Sequence, residues 1–584
     1  MVKRRLWPRD GRGGIDATRW TTHESEKATE GVYCGKGVER NLITMMTAMS
    51  RHKRTGVLSA IAFIAIGCMG GAGGADWASY NRTLAGDRFS PLKEINRSNV
   101  GQLKQVCSYT LPEVSSLQTG PLVVGGTMYF TTDTMSYAVD AASCAEKWKR
   151  SRHSETPSPL LVNRGFAYLG GRLFRGTSDA HVLAMDTADG HVVWDQPIDA
   201  KGPGVSLPMA PIAANGLVFI GNAGGDMAGV TGHVYALDAR DGHVAWKFNV
   251  VPASGPARAT WTNARLPVSG GAFWTSFTFD GQNGVLFVPA GNPAPDFDTQ
   301  LRTGDDLYSN SVIALDGGNG RMLGYNQLVK RDNHDWDVDA PPTLVTTRQG
   351  RMIVASANKD GLLSILDRSR LTGGDAGRAD DPGARLPVIA QTPTTTRANM
   401  DVPLARDHAV RFCPGFQGGV EWNGAAFSPA TNTLYVGAVD WCAHVQVKRD
   451  TTALPAVGTP WLGNEPTAGN PYDPVDSAKG WVTAFDADSA RVRWKFAAPH
   501  PILAGVTPTA GGVVFAADLG GDLYAFDADS GRVLWQTQTG QSTGGGIVTY
   551  RAGRRQLLGV ASGMKSPVWP GAAQQSRILV YGLP

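Results

Sequence analysis

Between Arg331 and Arg368 the chain reads RDNHDWDVDAPPTLVTTRQGRMIVASANKDGLLSILDR, a dense run of residue types able to do chemistry. Asp335, Asp337 and Asp339 form a tight acidic knot with Trp336 between the first two. Two apolar β-type runs follow, Thr343–Thr347 and Met352–Ser356, and then Asn358-Lys359-Asp360-Gly361. Asp-Gly between strand-like runs is a strong hairpin signal, so this group reads as a turn. A carboxylate cluster and a lysine on neighbouring strand ends can share one pocket. Such a pocket would hold a hard cation, a general base and a proton or anion partner together. The plainer alternative is a solvated acidic loop followed by an ordinary turn lysine, because most surface charges have no chemical role.

The elements that would position these groups come from the rest of the chain. Its 584 residues include 72 Gly, and only 18% are charged, which suggests many tight turns and little surface helix. Residues 51–75 have the form of an export signal: Arg51, Lys53 and Arg54, an apolar core at Val57–Gly67, and small residues from Ala72 to Ala75. The apolar run is too short to span a bilayer comfortably, so no transmembrane segment is expected once the signal is removed. Cys68 after Ala65-Ile66-Gly67 is a poor lipoprotein box, so cleavage near Ala75 is expected rather than a lipid anchor. Residues 1–44 read as an over-extended start, 45–75 as the signal and 76–584 as the exported part.

The leader also sets the overall charge. It holds 12 of the 55 Lys and Arg and 6 of the 51 Asp and Glu, leaving 43 against 45 in the exported part. The basic balance of the whole chain therefore implies no nucleic-acid partner. Cys107, Cys144, Cys413 and Cys442 follow the leader, and an even count in an oxidising compartment reads as two disulfides. Adjacent pairing is the most local of three connectivities. No Cys-x-x-Cys-His run is present to carry a covalent haem.

Self-similarity organises the exported part. The pattern Ala-x-Asp-x-x-x-Gly-x-x-x-Trp recurs as AMDTADGHVVW (184–194), ALDARDGHVAW (236–246) and AFDADSGRVLW (525–535). Relaxed copies are AVDAASCAEKW (138–148) and AFDADSARVRW (484–494), with Cys144 and Ala490 at the Gly place; ALDGGNGRMLGY (314–325) and ILDRSR (365–370) are weaker. A strand carries Ala-x-Asp, a turn reverses the chain, and the next strand ends in a Trp that packs on a neighbouring unit. Short β runs between copies give about four strands per unit, the size of a propeller blade. Seven copies are visible, and Thr433–Trp441 would supply an eighth. The fold class expected is all-β, an eight-bladed β-propeller of four-stranded antiparallel blades, with six or seven blades as alternatives.

These copies match the tryptophan-docking repeat of the pyrroloquinoline quinone (PQQ) propeller superfamily, which also includes cofactor-free assembly scaffolds. The exported part as a whole resembles the PQQ-dependent alcohol dehydrogenases. Within LVNRG (161–165), the resemblance makes Arg164 the partner of a quinone carboxylate, which a guanidinium can grip with two parallel bonds. In GNAGGDMAGVTGHVYALDA (221–239), Gly224 and Gly225 would approach the cofactor, and Asp226 takes the place of a metal-binding glutamate, one methylene shorter. Trp274 falls where the family has the floor under the quinone, and Asn292 where it has an amide metal ligand.

Asp335-Trp336-Asp337 resembles the family's His-Asp-x-Trp-Asp motif, shortened by one residue. This makes Asp337 the catalytic base and a metal ligand, and Lys359 the donor to the quinone oxygens. An acid at the Asp339 place occurs in lanthanide-dependent relatives. Glu421 stands where relatives often have a pocket Asn, Trp422 follows it, and Gln118 replaces an acid near the quinone. The resemblance of 413–429 and 431–442 to a segment between bonded cysteines supports Cys413–Cys442. Many relatives carry adjacent cysteines where this chain has Ser158-Pro159, a difference of branch.

The resemblance implies a periplasmic dehydrogenase that uses PQQ and Ca²⁺, or a lanthanide, to oxidise the hydroxyl of a small or polymeric alcohol. Electrons would pass to a separate acceptor, cytochrome c or a quinone. The rival reading is a cofactor-free propeller that acts as a scaffold or binding protein.

Overall fold

Eight four-stranded antiparallel sheets form a ring, and in each the strands follow one another from the axis outward. The computed structural model of the chain describes residues 75–154, 160–199, 202–262, 266–371, 386–466, 471–569, 571 and 575–584. The export signal and the Ser158-Pro159 position lie outside the described residues. Blade 1 begins at Leu122–Val124, blade 2 at Ala167–Leu169, blade 3 at Ile212–Ala214 and blade 4 at Thr278–Asp280. Blade 5 begins at Thr343–Thr346, blade 6 at Ala425–Ser428, blade 7 at Thr507–Pro508 and blade 8 at Ile547–Ala552. The first strands of blades 2 and 3, and those of blades 4 to 8 in succession, contact one another along the axis.

Burial grades outward in step with the sequence. The second strand of blade 1, TMYFT, is buried throughout, whereas its fourth, EKWKRS, buries only Trp148. That residue explains the repeat. Trp148 donates its indole N–H to the Thr187 carbonyl of blade 2 at 3.0 Å, and a Cβ added to Gly190 would lie 2.7 Å from its ring. The same dock recurs as Trp194 on Gly242, Trp246 on Gly320 and Trp494 on Gly531. At the Gly places of the relaxed copies, Cys144 and Ala490 adopt φ of 60° and 56°, so the turn conformation is retained without glycine.

The eighth unit differs from the sequence expectation. Thr433–Asp440 pairs with Ala425–Ser428 and Lys479–Asp486, so it is the second strand of the blade that contains AFDADSARVRW and not a separate blade. A long insertion between the second and third strands of blade 6 had disguised this. Blade 8 is instead composite: Ile547–Ala552, Arg555–Ser562 and Arg577–Gly582 are completed by Lys104–Thr110 from the other end of the propeller. The ring is thus closed by strand pairing. At this junction Cys107 on the fourth strand of blade 8 is bonded to Cys144 in the turn of blade 1, a covalent tie where four other interfaces dock Trp on the next blade. Cys413–Cys442 is the second disulfide, and both pairs are the local ones. Among the described residues, no helix is long and apolar enough to cross a membrane.

Candidate active site

In an antiparallel hairpin, the start of one strand and the end of the next lie at the same edge. Each blade therefore delivers two segments to one end of the axis: the linker entering its first strand and the loop leaving its second. Gln118, Arg164, Trp274, Asp339 and Glu421 stand three or four residues before the first strands of blades 1, 2, 4, 5 and 6. Asp226, Asn292 and Lys359 follow the second strands of blades 3, 4 and 5. The expected site residues, scattered over some three hundred positions, thus occupy equivalent places in neighbouring blades.

The acidic knot is irregular, because Asp335 takes a left-handed backbone with φ 56° just before Trp336. Trp336 and Val338 turn into apolar clusters, Trp336 stacking on His334 with ring centroids 4.1 Å apart. Asp335 and Asp337 turn instead to Lys359, whose charge also reaches Asp339. Asp332 fixes the entry by accepting the backbone N–H groups of His334 and Trp336, each at 2.9 Å. Buried Lys359 donates to Asp335 at 2.9 Å and to Asp337 at 3.1 Å. The other oxygen of Asp337 accepts the Asn292 backbone N–H at 2.8 Å. The turn predicted at 358–361 forms, with Gly361 at φ 75° and its N–H donated to the Asn358 carbonyl.

Beside this pair, the guanidinium of Arg164 lies between two indoles, 4.8 Å from the ring of Trp274 and 5.2 Å from that of Trp422. Arg164 also donates to the Trp274 carbonyl at 3.1 Å. Trp422 is held by its own N–H donation to the Gly544 carbonyl at 3.0 Å. Gln118 belongs to the adjoining strand entry, where the Thr119 carbonyl accepts the Gly546 N–H. Gly224 and Gly225 lead into Asp226. A Cβ on Gly224 would fall 2.1 Å from the Gly204 carbonyl oxygen, so glycine at φ 106° is required by that close approach.

Two acids that the sequence reading left out of the metal set join the site. Carboxylate oxygens of Asp226, Asp296 and Asp335 all lie within 4.8 Å of one another. Asn292 links this trio to Asp337, since its side-chain amide donates to Asp296 at 3.0 Å. Asp296 stands four residues beyond Asn292 in PAGNPAPDFD, a spacing with no regular period to mark it. Asp335 stood in the acidic knot itself, but its left-handed backbone at φ 56° leaves no strand alternation to mark it as a neighbour of Asp226 and Asp296. Tyr472, from the insertion in blade 6, is within electrostatic reach of Asp335 and Lys359.

Six buried or half-buried acids, Asp226, Asp296, Asp335, Asp337, Asp339 and Glu421, thus face two cations, Lys359 and Arg164. Burial pushes the Asp226 carboxyl up to about 6, with Asp337 adding to it and Lys359 opposing. Burial likewise lifts Glu421 to about 7, Lys359 opposing and Asp337 adding. Burial first of all raises Asp296, Asp335 and Asp339 well above the ordinary range; Asp226 and Asp335 add to Asp296, Asp337 and Asp226 add to Asp335 against Lys359, and Glu421 and Asp337 add to Asp339. Burial alone would lower Lys359, but Asp335, Asp337, Glu421 and Asp339 outweigh it and hold it as an ammonium. Asp296 Oδ2, both Asp339 carboxylate oxygens, Arg164 Nε and Gln118 Oε1 are buried without a hydrogen-bond partner in the protein. Unpartnered oxygens among surplus acids suit a hard cation, and an arginine between indoles suits a flat anionic ligand.

Comparison with known proteins agrees with this geometry. Residues 77–375, more than half of the chain, match the family described as PQQ: glucose/ethanol/alcohol dehydrogenase, beta-propeller domain. Residues 478–564 match the model of outer membrane protein assembly factor BamB. The chain is 28% identical to quinohemoprotein alcohol dehydrogenase ADH IIB of Pseudomonas putida, over 87% of this chain and 78% of the relative. It is 29% identical to quinoprotein ethanol dehydrogenase of Pseudomonas aeruginosa, over 87% and 90%. Among solved structures, quinohemoprotein alcohol dehydrogenase from Comamonas testosteroni superimposes with a TM-score of 0.76 at 25% identity, covering 87% of this chain and 80% of that one.

Proposed function

Because the chain belongs to the PQQ-dependent glucose/ethanol/alcohol dehydrogenase family and is a quinoprotein alcohol dehydrogenase, we propose that the acid-lined end of its axis is the site of alcohol oxidation. The observation that carries this reading is the Lys359 ammonium bridging Asp335 and Asp337, with Asn292 fixing Asp337 from the other side. When bound, PQQ supplies a two-electron acceptor that no side chain can offer, and a hard cation supplies Lewis acidity.

The protein's part is positioning and proton handling. Arg164 holds a carboxylate of the cofactor, and Trp274 and Trp422 present flat apolar faces to its rings. Gln118, Gly224, Gly225 and Glu421 complete its surroundings. Asp226, Asn292 and Asp337 hold the cation, Ca²⁺ or a lanthanide. Asp337 accepts the proton of the substrate hydroxyl. Its orientation comes from two donors, the Asn292 N–H and Lys359, so its remaining lone pairs point in a fixed direction. Lys359 stays charged and acts as a donor.

The substrate is a primary or secondary alcohol, with polyols, sugars and polyvinyl alcohol as the wider class. Electrons leave to an external acceptor, cytochrome c or a quinone, and the protein works in the periplasm after removal of residues 45–75. The described parts of the insertion 454–474 and of the loop 373–406 would shape the mouth of the site. Trp461 donates its backbone N–H to the Asp226 carbonyl at 2.7 Å, and Arg406 clamps Asp298 at 2.8 Å.

Reconstituting purified apoprotein with PQQ and either Ca²⁺ or a lanthanide tests the reading. Bound-quinone absorbance and dye reduction on addition of an alcohol panel are expected. If neither signal appears with either metal, the cofactor-free propeller becomes the better account.

A further inference from the structure

Within the proposed active site, on whose assignment this inference rests, the acids nearest the expected metal ligands exceed what a divalent ion needs. Asp226, Asp296 and Asp335 come from three different segments, the loops after the second strands of blades 3 and 4 and the linker into blade 5. Their carboxylate oxygens nevertheless converge within 4.8 Å of one another. Asp296 is fully buried, and its Oδ2 has no hydrogen-bond partner in the protein. Its other oxygen is occupied by the Asn292 amide at 3.0 Å, so the unpartnered oxygen is the one left to serve a ligand.

The backbone around Asp296 is held in place by a dedicated contact. Buried Arg302 donates to the Pro295 and Asp296 carbonyls, each at 2.9 Å, and to the Asp332 carbonyl. One guanidinium therefore ties the Asp296 loop to the segment that carries Asp335 and Asp337. Such support is expected where the placement of a ligand matters to within a fraction of an ångström.

Charge then selects the ion. Asp226, Asp296, Asp335 and Asp337 bring four carboxylates around one amide ligand, Asn292; among the described residues Lys359 is the cation paired with this group, and Arg302, whose charge also reaches Asp296, is itself paired with Asp306 at 3.3 Å. A divalent ion leaves the cluster with surplus negative charge out of water, whereas a trivalent ion balances it. Affinity at oxygen sites rises with the number of charged ligands. We propose that Asp296 and Asp335 are metal ligands, and that they make this a four-carboxylate site which takes a trivalent lanthanide ion in preference to Ca²⁺.

Tryptophan-sensitised Tb³⁺ luminescence reads this directly, without alcohol or dye, because Trp274 and Trp336 belong to the same region. Tb³⁺ would be titrated into the purified full-length protein, with and without PQQ, and then displaced with Ca²⁺. One tight site is expected, with half-displacement requiring at least ~100-fold more Ca²⁺ than Tb³⁺. Asp296→Asn and Asp335→Asn should each weaken Tb³⁺ binding by about tenfold or more, and Ca²⁺ binding by less. Displacement by Ca²⁺ at a comparable concentration would overturn the proposal, as would wild-type Tb³⁺ affinity in both variants. Should Asp296→Asn fail to fold, Asp335→Asn at its less buried position and the wild-type displacement still decide. Tb³⁺ selectivity without any dye-linked activity would sink the dehydrogenase reading and leave the site intact.

Discussion

The rim of the propeller and its hub use the same blades in opposite ways. At the rim, one device is repeated: Trp148, Trp194, Trp246 and Trp494 each lie on a glycine of the next blade and donate to a carbonyl in its turn. At the hub nothing repeats. Equivalent positions carry Gln118, Arg164, Trp274, Asp339 and Glu421, five different residue types at one address. Stability is therefore spread over many similar contacts, while the chemistry depends on single groups. A rim contact can be lost with modest effect, and a hub group cannot be replaced by its neighbours.

The hub side of the comparison predicts the largest effect. Asp337→Asn keeps the shape of the side chain but removes the base, and should lower dye-linked alcohol oxidation by about a thousandfold while PQQ still binds and the fold is unchanged by circular dichroism. Activity within a few-fold of wild type would remove Asp337 from its role. The rim should respond in stability rather than rate. Replacing Cys107 and Cys144 together by serine removes the one covalent tie at the closing junction and should cost about 2–4 kcal/mol in denaturant unfolding, with little change in turnover once folded.

A smaller effect separates the two regions by pH. In the unfolded chain Asp226 and Glu421 release their protons near pH 4, but in the folded protein only near pH 6 and 7. Between these limits the folded state binds more protons, so the stability of metal-free protein should fall as pH rises from about 4 to 7. Thermal unfolding at pH 5 and pH 8 checks this; a saturating cation should flatten the difference, and Glu421→Gln should reduce it. The smallest change expected is at a single dock. Trp194→Phe keeps most of the ring but loses the bond to the Ala239 carbonyl, and should cost about 1 kcal/mol with no effect on rate. A rate loss there would break the division between rim and hub.

The difference between rim and hub also decided what could be read in advance. Seven blades were legible because each repeats an apolar strand that ends in Asp before a turn, five of them with a tryptophan at a fixed offset. The eighth was misplaced to Thr433–Trp441, since a strand borrowed from Lys104–Thr110 leaves no local repeat to find. Most of the candidate site could be named from motif order, including Arg164, Trp274, Asn292, Asp337 and Lys359, and the structure brings these residues into neighbouring segments of one end of the axis. Asp296 was missed as a partner of the metal side because nothing in its sequence neighbourhood has a period.

By itself, the sequence determined the β class and the blade repeat, because these depend on short-range spacing; its resemblance to a family supplied the order of the pocket motifs, and the structure selected the local disulfide pairs among three connectivities. Which acids meet was decided only in three dimensions. Asp226, Asp296 and Asp335 are far apart in the chain and adjacent in the ring, because closing the blades brings the starts of first strands and the ends of second strands to one shared edge. That convergence follows from ring closure, and no local pattern of residues encodes it.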